Sequence, residues 1–242
     1  MENQPLVSIH QLKLYRSGFK GALTLGFLCN TNQTSDAQLQ SFLCPDEIQH
    51  YQSLTNLKRI AFFNGRYIAK RCLSYTIPGI RMQDLSITNG IFGQPLLSGN
   101  ADLHLSISHN DQASACIIFP RSHPMGLDIQ KLQYDNTSAI KSQLTTEECE
   151  IDEYFYTHLW ASKEALSKIL QTGLLIPFSV LEVRDIEFLD GFVINYFKNF
   201  WQYKAISFQW QDYICAIVLP ANTHLDMPVL LKELSGKHQF YL

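Results

Sequence analysis

Twice along this chain a long stretch of helical periodicity gives way to short runs of period two, and that order restricts the fold more than any other feature. The first helical stretch covers residues 56–75 and is ended by Pro78-Gly79. At 100° per residue, Leu57, Ala61, Gly65, Ile68 and Cys72 fall on one side, with Arg59, Phe63, Arg66 and Lys70 opposite. This predicts a core face and a charged face cleanly separated. Residues 103–108 then alternate polar and apolar, Asn110-Asp111 turns the chain, residues 113–119 form a second strand, and 124–130 read as a third. A second helix is predicted over residues 154–170, preceded by Thr145 and Glu148 in capping-box spacing. Alternating segments return near 178–184, 192–197, 203–210 and 213–219, with Asp190-Gly191 as a hairpin signal. Phe63-x-x-Arg66 with Arg71 repeats the spacing of Trp160-x-x-Lys163 with Lys168, which suggests a pseudo-duplication.

The chain has 242 residues, between one and two domains' worth at ~150 residues each. A hydrophobic fraction of 46% with 17% charged residues excludes disorder, coiled-coil and collagen compositions. The longest apolar runs, such as residues 214–219, fall far short of the ~20 residues that cross a bilayer. Met1-Glu2-Asn3-Gln4-Pro5 has neither a basic start nor an apolar continuation, so no secretory signal and no membrane association are expected. Six cysteines without a CxxC pair read as reduced thiols, which fits the cytoplasm.

A net charge of −3 makes no case for nucleic acid. Locally the charges are uneven. Between Glu47 and Asp84 the only ionic residues are Lys58, Arg59, Arg66, Lys70, Arg71 and Arg81, whereas Asp135, Glu147, Glu148, Glu150, Asp152 and Glu153 form an acidic stretch. An anion site needs such a basic interval, and a solvated helix face gives the same pattern.

The residues that could carry chemistry lie mainly on the third strand and the second helix. Asp128 sits between Leu127 and Ile129 after a glycine, and points to the same face as Gln130, about 7 Å along the strand. On the helix, Trp160, Lys163, Glu164, Ser167 and Lys168 make one stripe. Magnesium takes only one or two protein carboxylates, and Asp128 with Glu164 would meet that need. Taken alone, each reads first as an ordinary surface residue, Glu164 and Lys168 being i,i+4 neighbours. Ser108 and His109 are adjacent on a strand, so they face opposite ways, and no GxSxG is present. His109 therefore reads as a donor to an anion or as a structural residue.

Taken in order, Phe92-Gly93-Gln94-Pro95, Ser106-Ile107-Ser108-His109, Gly126-Leu127-Asp128-Ile129 and Trp160-Ala161-Ser162-Lys163-Glu164-Ala165-x-x-Lys168 resemble the surfactin-type 4′-phosphopantetheinyl transferases. The resemblance covers roughly residues 40–218, extending from Phe62-Phe63-Asn64-Gly65-Arg66 to Ile176-Pro177-Phe178. It implies an α+β fold of two similar halves about a pseudo-twofold axis, with coenzyme A between them. Residues 1–121 would form the 3′-phosphate and adenine side, and residues 122–242 the magnesium, pyrophosphate and catalytic side. The implied reaction moves 4′-phosphopantetheine from coenzyme A to a serine of an apo acyl or peptidyl carrier protein and releases adenosine 3′,5′-bisphosphate. A monomer is implied, since the duplication supplies both halves of the site.

By match to the motifs, Asp128 and Glu164 are implied as Mg2+ ligands and Glu164 as the base for the carrier serine. Lys168 would contact the pyrophosphate, and Lys163 would lie near the metal as a catalytic residue. Ser108 and His109 would lie at phosphate, Gln94 and Pro95 at the nucleotide, and Arg59 or Arg66 at the 3′-phosphate. Two positions depart from the family pattern: Gln130 stands where the family has Glu, and Gln94 where it has Lys. The first implies weakened metal binding through a two-carboxylate site, and the second weakened coenzyme A affinity. Both departures also motivate a second reading, an impaired relative that binds coenzyme A or carrier protein as a regulator. A third reading is an unrelated α+β domain.

Overall fold

The computed structural model describes residues 6–29, 35–110, 112–132 and 137–236. Met1–Pro5 and the predicted positions Asp111 and Asp135 lie outside them. The chain divides into two compact units, the first comprising residues 1–11 and 22–122 and the second residues 12–21 and 123–242. Both combine an antiparallel sheet with one long helix, so the class is α+β.

In the first unit, β1 (Val7–Arg16) and β2 (Phe19–Cys29) precede three helices: α1 (Asp36–Phe42), α2 (Pro45–Ser53) and α3 (Asn56–Thr76). Then follow β3 (Ile87–Asn89) paired with β4 (Pro95–Leu97), and the hairpin of β5 (Leu103–His109) with β6 (Ala113–Pro120). The sheet order is β1-β2-β6-β5. The end of β1 that belongs to the second unit pairs at Leu14 and Tyr15 with β12 (His224–Leu225). Helix α3 lies on this sheet, and Ile68, Ala69, Cys72 and Leu73 pack with Leu28, Leu105, Cys116 and Ile118.

Helix α3 does not separate core from charge as predicted. Leu57 is 83% exposed, while Phe63, Arg66 and Lys70 are buried. The opposite side of the helix is covered by α1 and α2, where Phe42 meets Phe63 and Tyr67 edge to face and Leu39 and Leu43 close the cluster. A helical wheel reports two faces but not how many of them will be covered.

The second unit begins its sheet with β7 (Gly126–Lys131) and passes through a short α4 (Ser138–Lys141) to α5 (Tyr156–Leu170). Antiparallel strands β8 (Val183–Leu189), β9 (Phe192–Phe197), β10 (Tyr203–Trp210) and β11 (Tyr213–Pro220) follow, and α6 (Met227–Gly236) ends the described chain. The order is β7-β11-β10-β9-β8, and Asp190-Gly191 closes the β8–β9 hairpin with Gly191 at φ 81°. The run predicted near 178–184 is instead a 3-10 turn, Phe178–Leu181, leading into β8.

Strand β7 packs on α5 so closely that a Cβ at Gly126 would run into the carbonyl oxygen of Ala165. Backbone on both sides leaves nothing flexible to yield. Gly126→Ala is therefore expected to cost about 3 kcal/mol, at the upper end of over-packing penalties, measured by urea unfolding.

His158 on the buried side of α5 shares a 2.9 Å hydrogen bond between Nδ1 and Ser207 Oγ. Burial pushes its pKa down to about 4. The unfolded chain then binds more protons than the folded one below about pH 6.5, so stability falls with pH through that window. Between pH 7 and pH 5 this residue alone is expected to remove about 2 kcal/mol. Comparing the unfolding free energy of the native chain and His158→Gln at both pH values checks it, since the variant should lose this share of the slope.

Candidate active site

Strand β7 and helix α5 converge on one polar cluster. Asp128, buried on β7 opposite Ala216, receives a 2.8 Å bond on Oδ1 from Lys168 Nζ and a 2.7 Å bond on Oδ2 from Gln130 Nε2. Lys168 Nζ also donates to the Leu127 carbonyl oxygen at 2.7 Å. Glu164, one turn earlier on α5, is half-buried, and its pKa is pushed up to about 7. Loss of hydration is the largest cause, the neighbouring Asp128 carboxylate adds to it, and Lys168 opposes it. The structure thus brings together Asp128, Gln130, Glu164 and Lys168, which stand up to 40 residues apart in the chain.

Lys163 is elsewhere. Its side chain is fully buried and donates to Glu148 Oε2 at 2.5 Å and to the Phe178 carbonyl at 3.3 Å. Glu148 also accepts from Thr145 N and Val183 N, both at 2.8 Å. One helical position, 100° of rotation, carries Lys163 away from the side that Glu164 shares with Asp128. Trp160 packs its ring on Phe178 at 4.6 Å, and Ser167 is buried with Oγ on the Glu164 carbonyl, so the predicted stripe is split.

The first unit repeats this anchor. Glu47 Oε2 accepts from Cys44 N at 3.0 Å and from the Lys70 ammonium, and Oε1 accepts from Ile87 N at 3.1 Å. In each unit a carboxylate three residues into a turn holds a buried lysine of the long helix and the first amide of a strand. The internal match therefore sets Lys70 on Lys163, replacing the register read from Phe63, Arg66 and Arg71.

Of the first unit's predicted residues, Arg66, Pro95 and His109 border a common cleft of about 310 Å³. The Arg66 guanidinium lies over the Phe62 ring at 4.7 Å and donates to Asn89 Oδ1 at 2.7 Å. Arg59 is committed elsewhere, to the carbonyls of Tyr51 at 3.1 Å and Gln52 at 2.5 Å. Gln94 folds over Gly90 and accepts from Phe92 N at 3.0 Å. Ser108 is buried, on the side of β5 opposite the exposed His109. Lys58 and His50 also border the cleft. Lys58 was discoverable in the basic interval, since it shares a helical face with Phe62, Gly65 and Arg66.

Among the described residues no group of three His, Cys, Asp or Glu side chains is placed to hold a metal. The donor set at Asp128 nevertheless suits magnesium. Two carboxylates close enough to raise the pKa of one of them ask for a hard cation, and Gln130 adds an amide. No described helix is long and apolar enough to cross a membrane.

Residues 124–218 match the family model of the 4′-phosphopantetheinyl transferase superfamily. A 4′-phosphopantetheinyl transferase of Bacillus subtilis is 30% identical over 102 residues, 38% of this chain and 44% of the relative. The transferase Sfp of Bacillus subtilis strain 168 is 28% identical over 110 residues, 42% of this chain and 48% of the relative. The aligned stretches thus span under half the length of these relatives. A crystal structure of a holo-(acyl-carrier-protein) synthase from Bacillus anthracis in complex with CoA (3′,5′-ADP) is similar, with TM-score 0.33 and 23% identity, over 35% of this chain and 80% of that one.

Proposed function

We propose that this chain, whose residues 124–218 match the family model of the 4′-phosphopantetheinyl transferase superfamily, transfers 4′-phosphopantetheine from coenzyme A to a serine of an apo carrier protein. The observation that carries this reading is the cluster of Asp128, Glu164 and Lys168, two repelling carboxylates with one ammonium among them. A diphosphate repels an incoming nucleophile, so the site needs cations around it and a base beside the serine. Lys168 supplies a fixed positive charge for the departing bisphosphate. Glu164, beside Asp128 and Lys168 on the same side of α5, is placed as the base for the serine proton. Asp128 and Glu164, with Gln130 beside them, would hold magnesium, which when bound neutralises phosphate charge. The first unit's cleft, with Lys58, Arg66 and His109 on its border, is suited to the anionic nucleotide end of coenzyme A.

Gln130 gives a second reading some support. Its amide donates to Asp128 where a third carboxylate would repel it, which lowers metal affinity and favours a chain that binds coenzyme A without transfer. Incubating the purified chain with coenzyme A, magnesium and an apo carrier protein, then weighing the carrier, separates the two. A carrier heavier by one phosphopantetheinyl group supports transfer. Coenzyme A binding with an unchanged carrier supports the regulator, and the absence of both defeats both.

A further inference from the structure

Among the described residues, the cleft of the first unit is bordered by four basic side chains, His50, Lys58, Arg66 and His109, and by no carboxylate. Asp46 borders the neighbouring cleft, on the other side of Arg66. Beneath Arg66 lies the buried carboxylate of Glu47, with Oε1 3.7 Å from Arg66 Nε, a distance too long for a hydrogen bond. Its Oε2 is taken by Lys70, whose side chain is fully buried and borders neither cleft. Two cations share one anion, so the cluster carries an excess of one positive charge.

The second unit shows what the same anchor does alone. Glu148 holds Lys163 and the same kinds of backbone amide, but four residues before that lysine stands buried Leu159, where the first unit has Arg66. That anchor is electrically neutral. The arginine is thus an addition to a scaffold that is complete without it, and it is placed where the scaffold meets a basic cleft.

We propose that Lys70 is a positioning residue for anion binding: by occupying Glu47 it keeps the Arg66 guanidinium from collapsing into that carboxylate and leaves its charge to the cleft. The proposal rests on the reading of the cleft as the seat of coenzyme A's anionic end. Without Lys70, Glu47 and Arg66 form a closed neutral pair. Without both Lys70 and Glu47, Arg66 again has charge to spare.

Titration calorimetry of the full chain with coenzyme A, and separately with adenosine 3′,5′-bisphosphate, tests this on three variants. Lys70→Met is expected to raise Kd about tenfold. The double variant Lys70→Met with Glu47→Gln is expected to return to within threefold of the native chain, and Glu47→Gln alone should bind no more weakly than native. A purely structural anchor would weaken binding in all three. Native affinity in Lys70→Met, or a double variant as weak as the single, overturns the proposal. Should Lys70→Met fail to fold, Glu47→Gln decides, a tenfold weakening there being fatal. A native chain that modifies a carrier while Lys70→Met binds normally sinks this inference alone, whereas a native chain that binds no coenzyme A sinks it together with the transferase reading.

Discussion

Lys168→Ala is expected to lower turnover about a thousandfold while leaving the fold intact. An ammonium about 4 Å from a phosphate contributes roughly 4 kcal/mol at an effective dielectric near 20, and that figure corresponds to about three powers of ten in rate. Lys168 is well placed to deliver it, because its Nζ is held by Asp128 and the Leu127 carbonyl without being buried, its side chain being 29% exposed. That partial exposure is also why removal is tolerated structurally: Asp128 keeps the bond from Gln130, and water can reach the vacated space. Removing the lysine also takes away the charge that restrains the Glu164 pKa, so the base becomes harder to ionise. The check is kcat at saturating coenzyme A and carrier, with near-ultraviolet circular dichroism to confirm the fold. Turnover within threefold of the native chain would remove Lys168 from the proposed mechanism.

Lys163→Met is expected to do the reverse, destabilising the chain by about 4 kcal/mol without a comparable effect on chemistry. The substitution strands Glu148, 1% exposed, as a buried carboxylate with only two backbone amides for partners. Breaking one partner of a buried pair costs roughly 3–5 kcal/mol, most of it the uncompensated charge that remains. Pairing it with Glu148→Gln should recover most of the loss, because a neutral amide keeps the hydrogen bond that joins the turn to β8. Urea unfolding measures both. Per folded molecule, kcat should stay within tenfold of native, and a larger drop would return Lys163 to the catalytic role implied by the resemblance.

The contrast between these two lysines shows how far the amino-acid pattern reaches. Both stand on one predicted stripe of α5, and both match the motif. The spacing of Glu164 and Lys168 places them on one side of a helix whatever surrounds it, and the glycine before Leu127 and Asp128 marks a strand in close contact. The first relation is local, so the Glu164–Lys168 pair was legible from spacing alone, whereas Asp128, 40 residues before Lys168, was joined to it only by the resemblance of the motifs. Lys163 is decided by Glu148, fifteen residues earlier, and by the Phe178 carbonyl, fifteen later. Neither partner is fixed by helical period.

The same holds in the first unit. Sequence alone determined that residues 56–75 form a helix, that strands follow each long helix, and that a basic interval accompanies the first. Only the tertiary structure decided that Arg66 and Lys70 are buried, that Arg59 is tied to α2, and that Lys58 borders the cleft. It also decided that β1 and β2 pair before any of this, a hairpin for which the chain offered no turn signal beyond Ser17-Gly18. Periodicity reports which side chains share a direction. What lies in that direction depends on contacts between distant segments, and a buried charge is tolerable only where one of those segments supplies its partner.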